Sequence, residues 1–309
     1  MGAKSTKLEL RSHGSPGLAR WPNLFILGVP KAGTRSLVSA LTAHPQVYVP
    51  AHHQPRFFID PEVDRRWAGF FDLVQREDKY LALFRGHDEA PYCCDASPEY
   101  MFSAEAMHRI RQVEPTSKAI VLLRDPVDRA YSHYLNDVRE GLEKRTFLQA
   151  IREQLSGVDP QRWPSRYVHY GHYEQALRDA SAIFKENLYV IFFEKLTSDP
   201  LTELSGLAEF LSLDFEGFHA RGLRHLNEAA VPRGEISRHL LGSPLFRRLA
   251  RAITPRRERP LFRRLFVSPK AVPPIDPQAR GLLIREYAGE ADAVAAVLGR
   301  HPAWRNFAA

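Results

Sequence analysis

Short apolar runs separated by longer amphipathic stretches set the pattern of this chain. Leu24-Phe25-Ile26-Leu27 reads as a buried strand, and a turn follows from Gly28 to Gly33. Leu37, Val38 and Leu41 then recur at helical spacing and predict a helix from about Thr34 to Ala43. His44-Pro45 ends it, because the residue before proline avoids the α conformation. Val47 to Val49 reads as a second short strand, and Ala119 to Leu123 and Leu188 to Phe193 as further buried strands. Helical patterns cover Asp128 to Glu140, Phe147 to Leu155, Tyr173 to Phe184 and Leu201 to Leu211, and a last helix is predicted from about Pro277 to Leu298. Strands alternating with helices over long separations predict an α/β fold with a central parallel sheet of about five strands, flanked by helices. Residues 1–21 are expected to form a flexible tail and 22–309 one domain, with no internal repeat.

Composition narrows the class. The 309 residues are 44% hydrophobic and 26% charged, ordinary values that exclude a disordered or fibrous chain. The longest apolar run, Leu24 to Val29, falls far short of the ~20 residues a membrane-spanning helix needs. Met1 to Arg20 lacks the apolar centre of a signal peptide. Gly2 and Thr6 match a myristoylation pattern, which a polar tail explains as well. The two cysteines, Cys93 and Cys94, are adjacent and read as small buried residues of a reduced, cytoplasmic protein.

Charge is unevenly placed. Arg221 to Lys270 holds 12 Arg and 1 Lys against 3 Glu, a net +10 in a chain of net charge +7, so the remainder is mildly acidic. Three readings stand for this segment: a lid over a nucleotide, a surface for acidic glycans, or a solvated basic face. Leu245, Phe246, Leu249, Leu261, Phe262 and Leu265 among the Arg pairs add a fourth, peripheral membrane contact through 233–266. No nucleic-acid-binding motif is present.

The chemistry concentrates in two stretches. Gly28 to Ser36 links a strand to a helix, so backbone N–H groups and the helix N-terminus converge on one anion site. Lys31 adds a positive charge, and Thr34 and Ser36 add hydroxyls. Gly28 and Gly33 have the spacing of Gly-x-x-x-x-Gly-Lys-Ser/Thr, but Thr34 stands where the lysine belongs. This disfavours a metal-nucleotide kinase while leaving phosphate binding in place. An ordinary strand-turn-helix is the plain alternative. The second stretch, Ala119 to Pro126, is a strand ending in Arg124, with Asp125 and Pro126 suited to start a helix. An arginine there points into the crevice where open α/β sheets bind ligands, and its fork suits a phosphate. Ser132 adds a hydroxyl to the same anion. The alternative is that Arg124 pairs with Asp128.

Together these residues resemble sulfotransferases that use 3′-phosphoadenosine 5′-phosphosulfate (PAPS), in particular the heparan sulfate glucosaminyl type and its soluble bacterial relatives. Gly-Val-Pro-Lys-Ala-Gly-Thr-Arg-Ser-Leu (Gly28 to Leu37) resembles their 5′-phosphosulfate loop, and Leu122 to Tyr134 their 3′-phosphate motif. Asp95 to Tyr100, Gly171-His172-Tyr173, Phe193 to Leu196 and Lys270 to Pro277 are similar to weaker family motifs. The resemblance implies a P-loop-like fold and in-line transfer of a sulfuryl group to a hydroxyl or amine of a carbohydrate, lipid or natural-product acceptor, without a metal. By that match Lys31, Ala32, Gly33, Thr34, Arg35 and Ser36 hold the 5′-phosphosulfate, and Lys31 neutralises charge developing on the leaving phosphate oxygen. Arg124, Ser132 and Lys270 hold the 3′-phosphate, which remains on the product, adenosine 3′,5′-bisphosphate (PAP).

The chain departs from the family where a catalytic glutamate usually precedes a His-Phe-Phe stretch. The run here is His52-His53-Gln54-Pro55-Arg56-Phe57-Phe58, with Gln54 at the glutamate position. Glutamine takes no proton at neutral pH, whereas a neutral histidine does, so His53, and after it His52, are the candidate bases. Two exposed loop histidines are the alternative. Ala96 replaces a lysine of the heparan-type cleft. These losses keep open a pseudoenzyme that binds the nucleotide without transfer. Trp163, Tyr167, Tyr170 and Tyr173 are candidates for an acceptor site or for the core.

Overall fold

The structure is a computed structural model that describes residues 20–60, 73–87, 89–157, 166–218 and 273–307, together with the backbone of two short strands at 231–232 and 267–268. Five parallel strands form the central sheet: β1 (Leu24–Gly28), β2 (Val47–Tyr48), β3 (Tyr92–Asp95), β4 (Lys118–Leu123) and β5 (Leu188–Phe192), in the spatial order β2-β3-β1-β4-β5. Every residue of β1 is buried, as are all but the first of β4, which explains their unbroken apolar runs: both faces of the sheet are covered. β3 carries Cys93 and Cys94, both buried and unbridged, and its polar Asp95 hides it from a reading of hydrophobic runs alone.

The predicted helices are present with shifts at their ends, and three more, at Glu77–Leu81, Ala104–Val113 and Phe193–Ser198, were not predicted. In chain order the helices are α1 (Thr34–Thr42), α2 (Glu77–Leu81), α3 (Ala104–Val113), α4 (Pro126–Glu140), α5 (Phe147–Leu155), α6 (Glu174–Phe184), α7 (Phe193–Ser198), α8 (Pro200–Leu211), α9 (Pro277–Glu286) and α10 (Glu290–Leu298). Local chemistry sets their limits. α4 starts on Asp125, whose carboxylate accepts from the amides of Val127 at 3.0 Å and Asp128 at 3.4 Å, and ends at left-handed Gly141. α5 opens with a capping box between Thr146 and Gln149. The expected single helix from Pro277 to Leu298 is two helices, because Gly289 adopts φ +84° and caps α10 instead of continuing α9.

The C-terminal segment closes over the sheet. Trp304 is buried, with its ring 5.6 Å from that of Tyr173 and 6.4 Å from that of Phe192. The Asn306 amide donates to Asp125 at 3.0 Å, so the chain end braces the start of α4. A separate antiparallel ribbon pairs β6 (Val231–Pro232) with β7 (Val267–Ser268). The expected membrane-contact segment 233–266, Trp163 and Lys270 lie outside the described residues. No helix among the described residues is long and apolar enough to cross a membrane.

Candidate functional site

The carboxyl ends of β1, β4 and β5 bring the two predicted phosphate stretches side by side. Val29 donates to Leu122 O at 2.8 Å, which ties the loop after β1 to the end of β4. Gly33 caps α1 at φ +90°, a left-handed conformation that side chains resist, and an added Cβ would stand 2.8 Å from the Phe193 ring. Lys31 is also left-handed, at φ +74°. Within the loop Ala32 donates to Val29 O at 3.2 Å and Ser36 to Gly33 O at 2.9 Å, which leaves the amides of Gly33, Thr34 and Arg35 at the start of α1 for an anion.

Arg124 does not pair with Asp128, which is held by Arg305 at 2.8 Å. Instead its Nη1 donates to the Lys31 carbonyl at 3.1 Å, and its guanidinium lies 4.4 Å over the Phe193 ring. Phe193 thus lies beneath both Gly33 and Arg124, and the next residue, Glu194, accepts the Asp125 amide at 3.0 Å. Tyr173 donates its hydroxyl to Arg124 O at 2.8 Å. The β5–α7 junction is thus a platform for both phosphate stretches.

Lys31 reaches across to α4. Its Nζ donates to Asn136 Oδ1 at 3.0 Å, and Arg139 donates to the same oxygen at 2.6 Å. Burial first, then the charges of Arg35, Arg139 and Arg124, lower the Lys31 pKa to about 7, with Asp137 opposing them. Arg35 makes no hydrogen bond or ion pair among the described residues, and neither do the side chains of Thr34, Ser36 and Ser132. Four basic groups thus converge: Asp137 opposes Lys31 and Arg139, Glu140 lies 3.7 Å from Arg139, and Asp128 and Glu194 act on Arg124, while Arg35 has no ion pair among the described residues. Asn136 and Arg139 were missed from sequence; they follow Ser132 at the i+4 and i+7 spacing of one helix face, which was the available signal.

A buried carboxylate positions the loop at 52–58. Asp95 accepts from Ser97 Oγ at 2.7 Å, Tyr80 OH at 2.7 Å and Tyr100 OH at 2.9 Å, and burial raises its pKa to about 6. Ser97 Oγ accepts the Arg56 amide at 3.0 Å, and the Ala96 amide donates to His53 O at 2.8 Å. His53 is half-buried; desolvation and the nearby Arg35 charge lower its pKa, so it is neutral at physiological pH. Arg56 donates to Glu99 at 2.9 Å and to Gln54 Oε1 at 3.2 Å. Because arginine only donates, this fixes the Gln54 oxygen toward Arg56 and leaves its NH2 group facing away. Tyr167 and Tyr173 belong to the core, while Tyr170 is half-buried.

The sequence model of a family described as "Sulfotransferase family" matches residues 22–217. The chain belongs to the sulfotransferase family. Among its relatives, heparan sulfate glucosamine 3-O-sulfotransferase 6 of Mus musculus is 33% identical over 217 residues, covering 67% of this chain and 58% of the relative. Heparan sulfate glucosamine 3-O-sulfotransferase 3B1 of Homo sapiens is 30% identical over 200 residues, covering 64% and 47%. The chain thus spans about half the length of these curated relatives. A sulfotransferase structure from Alicyclobacillus acidocaldarius shares the fold, with TM-score 0.65 and 22% identity, covering 91% of this chain and 96% of that one. The expected P-loop-like α/β architecture is therefore the observed one.

Proposed function

We propose that this sulfotransferase-family chain moves a sulfuryl group from PAPS to an acceptor hydroxyl or amine. The observation that supports this reading most is the Lys31 cluster: Lys31 feels the charges of Arg35, Arg139 and Arg124, and Arg35 has no ion pair among the described residues. A half-buried lysine among arginines, one of them without an ion pair, fits a polyanion, which would restore the charge that burial and repulsion remove from Lys31. The donor supplies the activated sulfuryl group. Lys31 stabilises charge on the leaving phosphate oxygen, and the amides of Gly33, Thr34 and Arg35, with the Thr34 and Ser36 hydroxyls, bind the 5′-phosphate. Arg124 and Ser132, with Lys270 from beyond β7, take the 3′-phosphate. His53 accepts the acceptor proton.

Calorimetric titration with PAP, with ATP and ADP as controls, tests the reading. Tight binding of PAP alone, lost in Arg124→Ala, is the expected result; preference for ATP with magnesium would overturn it in favour of a kinase. Transfer of radiolabelled sulfate then separates an enzyme from a chain that only binds. His53→Ala should lower turnover most where the acceptor hydroxyl is least acidic. Unchanged turnover on every acceptor would remove His53 from the mechanism.

A further inference from the structure

The C-terminal segment lies beyond the family match, which ends at 217, yet it grips the stretch that carries Arg124. The Asn306 amide donates to Asp125 at 3.0 Å and Arg305 to Asp128 at 2.8 Å, one and four residues past Arg124. Glu290 reaches the same stretch by a longer route. Gly289 breaks the helix at φ +84°, so Glu290 is the first residue of α10, and its buried carboxylate meets the start of α6. There Glu290 Oε1 accepts from the amides of Tyr173 at 2.6 Å and Glu174 at 2.7 Å.

The start of α6 depends on that carboxylate. Tyr173 stands at its N-cap position and makes no side-chain cap of its own. The first amides of a helix have no partner within it, and negative charge is favourable at that end. Glu290 supplies both needs from the far end of the chain, and so fixes the Tyr173 backbone. The Tyr173 hydroxyl in turn donates to Arg124 O at 2.8 Å. Its ring is fully buried, 5.6 Å from that of Trp304 in the same C-terminal segment.

The C-terminal helices are docked closely at this point. Tyr287 donates its hydroxyl to Val168 O at 2.9 Å, and a Cβ added at Gly171 would stand 2.4 Å from that oxygen. His172 lies between two carboxylates, with Nε2 3.1 Å from Glu286 and Nδ1 3.7 Å from Glu290. A shift of α10 would therefore move Tyr173. Arg124 forms the joint between β4 and α4, and its side chain rests on Lys31 O and the Phe193 ring. Tyr173 on its carbonyl and Asn306 on the next residue hold the backbone from which that side chain departs. An arginine anchored in this way loses less freedom when it takes an anion.

We infer that Glu290 is a positioning residue for Arg124, acting through Tyr173 to set recognition of the donor's 3′-phosphate. This rests on the sulfotransferase reading above. Glu290 works at a distance, first through the Tyr173 amide and then through the Tyr173 hydroxyl. Its effect therefore falls on the phosphate assigned to Arg124 and spares the 5′-phosphate held at the start of α1.

The test compares calorimetric binding of PAP with that of adenosine 5′-monophosphate (AMP), which lacks the 3′-phosphate, on the full chain. The unaltered protein should bind PAP far more tightly than AMP. Glu290→Ala should weaken PAP about tenfold, the scale of one charge-assisted hydrogen bond, and leave AMP nearly unchanged. Glu290→Gln keeps an accepting oxygen and should retain most of the PAP affinity. Tyr173→Phe should reproduce the loss seen in Glu290→Ala. The double variant should bind PAP no more weakly than either single one, because both act along one route. Leu283→Ala, at a buried position of α9, should lower the melting temperature yet keep the ratio of PAP to AMP affinity, which separates positioning from general loosening. If the unaltered chain prefers PAP but Glu290→Ala keeps that ratio, the positioning inference is wrong and the donor reading stands. If the unaltered chain shows no preference for PAP over AMP, both fall.

Discussion

At the scale of single residues, Lys31 is the group on which most depends. Its pKa of about 7 reflects burial among cations, so in the free protein it is largely deprotonated at pH 8. A bound polyanion raises that pKa and draws a proton from solvent. At pH 8, where the phosphates are fully ionised, PAP binding should therefore take up protons. Its calorimetric enthalpy should vary with the ionisation enthalpy of the buffer, and its affinity should fall as pH rises above about 7. Buffer-independent enthalpy at pH 8 would show that Lys31 is already charged. Lys31→Ala should lower transfer about 10²–10³-fold or more, on the scale of losing one preorganised charge stabiliser. Among the residues assigned in advance, the structure brings Lys31, Arg35, Arg124 and His53 together. Their proximity was legible in the motifs; the reliance of Lys31 and Arg124 on Asn136, Arg139 and Phe193 was not, because those contacts cross between elements far apart in sequence.

At the scale of elements, two supports hold the site. The loop into α1 needs glycine at 33, since φ is +90° and the Phe193 ring fills the space a Cβ would take. Gly33→Ala should cost about 2 kcal/mol in urea unfolding, combining left-handed strain with displacement of that ring, and should weaken PAP binding in parallel. Wild-type values of both would mean the loop is not held in this form. The second support is Asp95 at the end of β3. Asp95→Ala removes the acceptor of three buried hydroxyls and should cost about 3 kcal/mol, with turnover lost at temperatures where the fold persists. Neither support showed in the periodicity, which records which residues avoid water and is silent on which polar groups find each other.

At the scale of the whole molecule, ligand binding and stability are linked. The site draws on β1, β4, β5, α1, α4 and α7, so a ligand there bridges elements far apart in the chain. PAP at a hundred times its dissociation constant should add about 2.7 kcal/mol and raise the melting temperature by several degrees, with a smaller shift from ATP. Lys270→Ala should reduce the PAP shift if that residue reaches the 3′-phosphate; an unchanged shift would remove it from the donor site.

The sequence by itself determined the α/β class, four of the five strands, the two stretches proposed to bind the donor's phosphates and the family they belong to. These are local properties: an apolar run long enough for one buried strand, a glycine-bearing turn before a helix, an arginine closing a strand. Only the tertiary structure decided the strand order, the break at Gly289, the pairing of Arg124 with the Lys31 carbonyl, and the orientation of the Gln54 amide. Each of these depends on groups brought together across the chain, where burial and the one available partner, rather than neighbours in sequence, select the outcome.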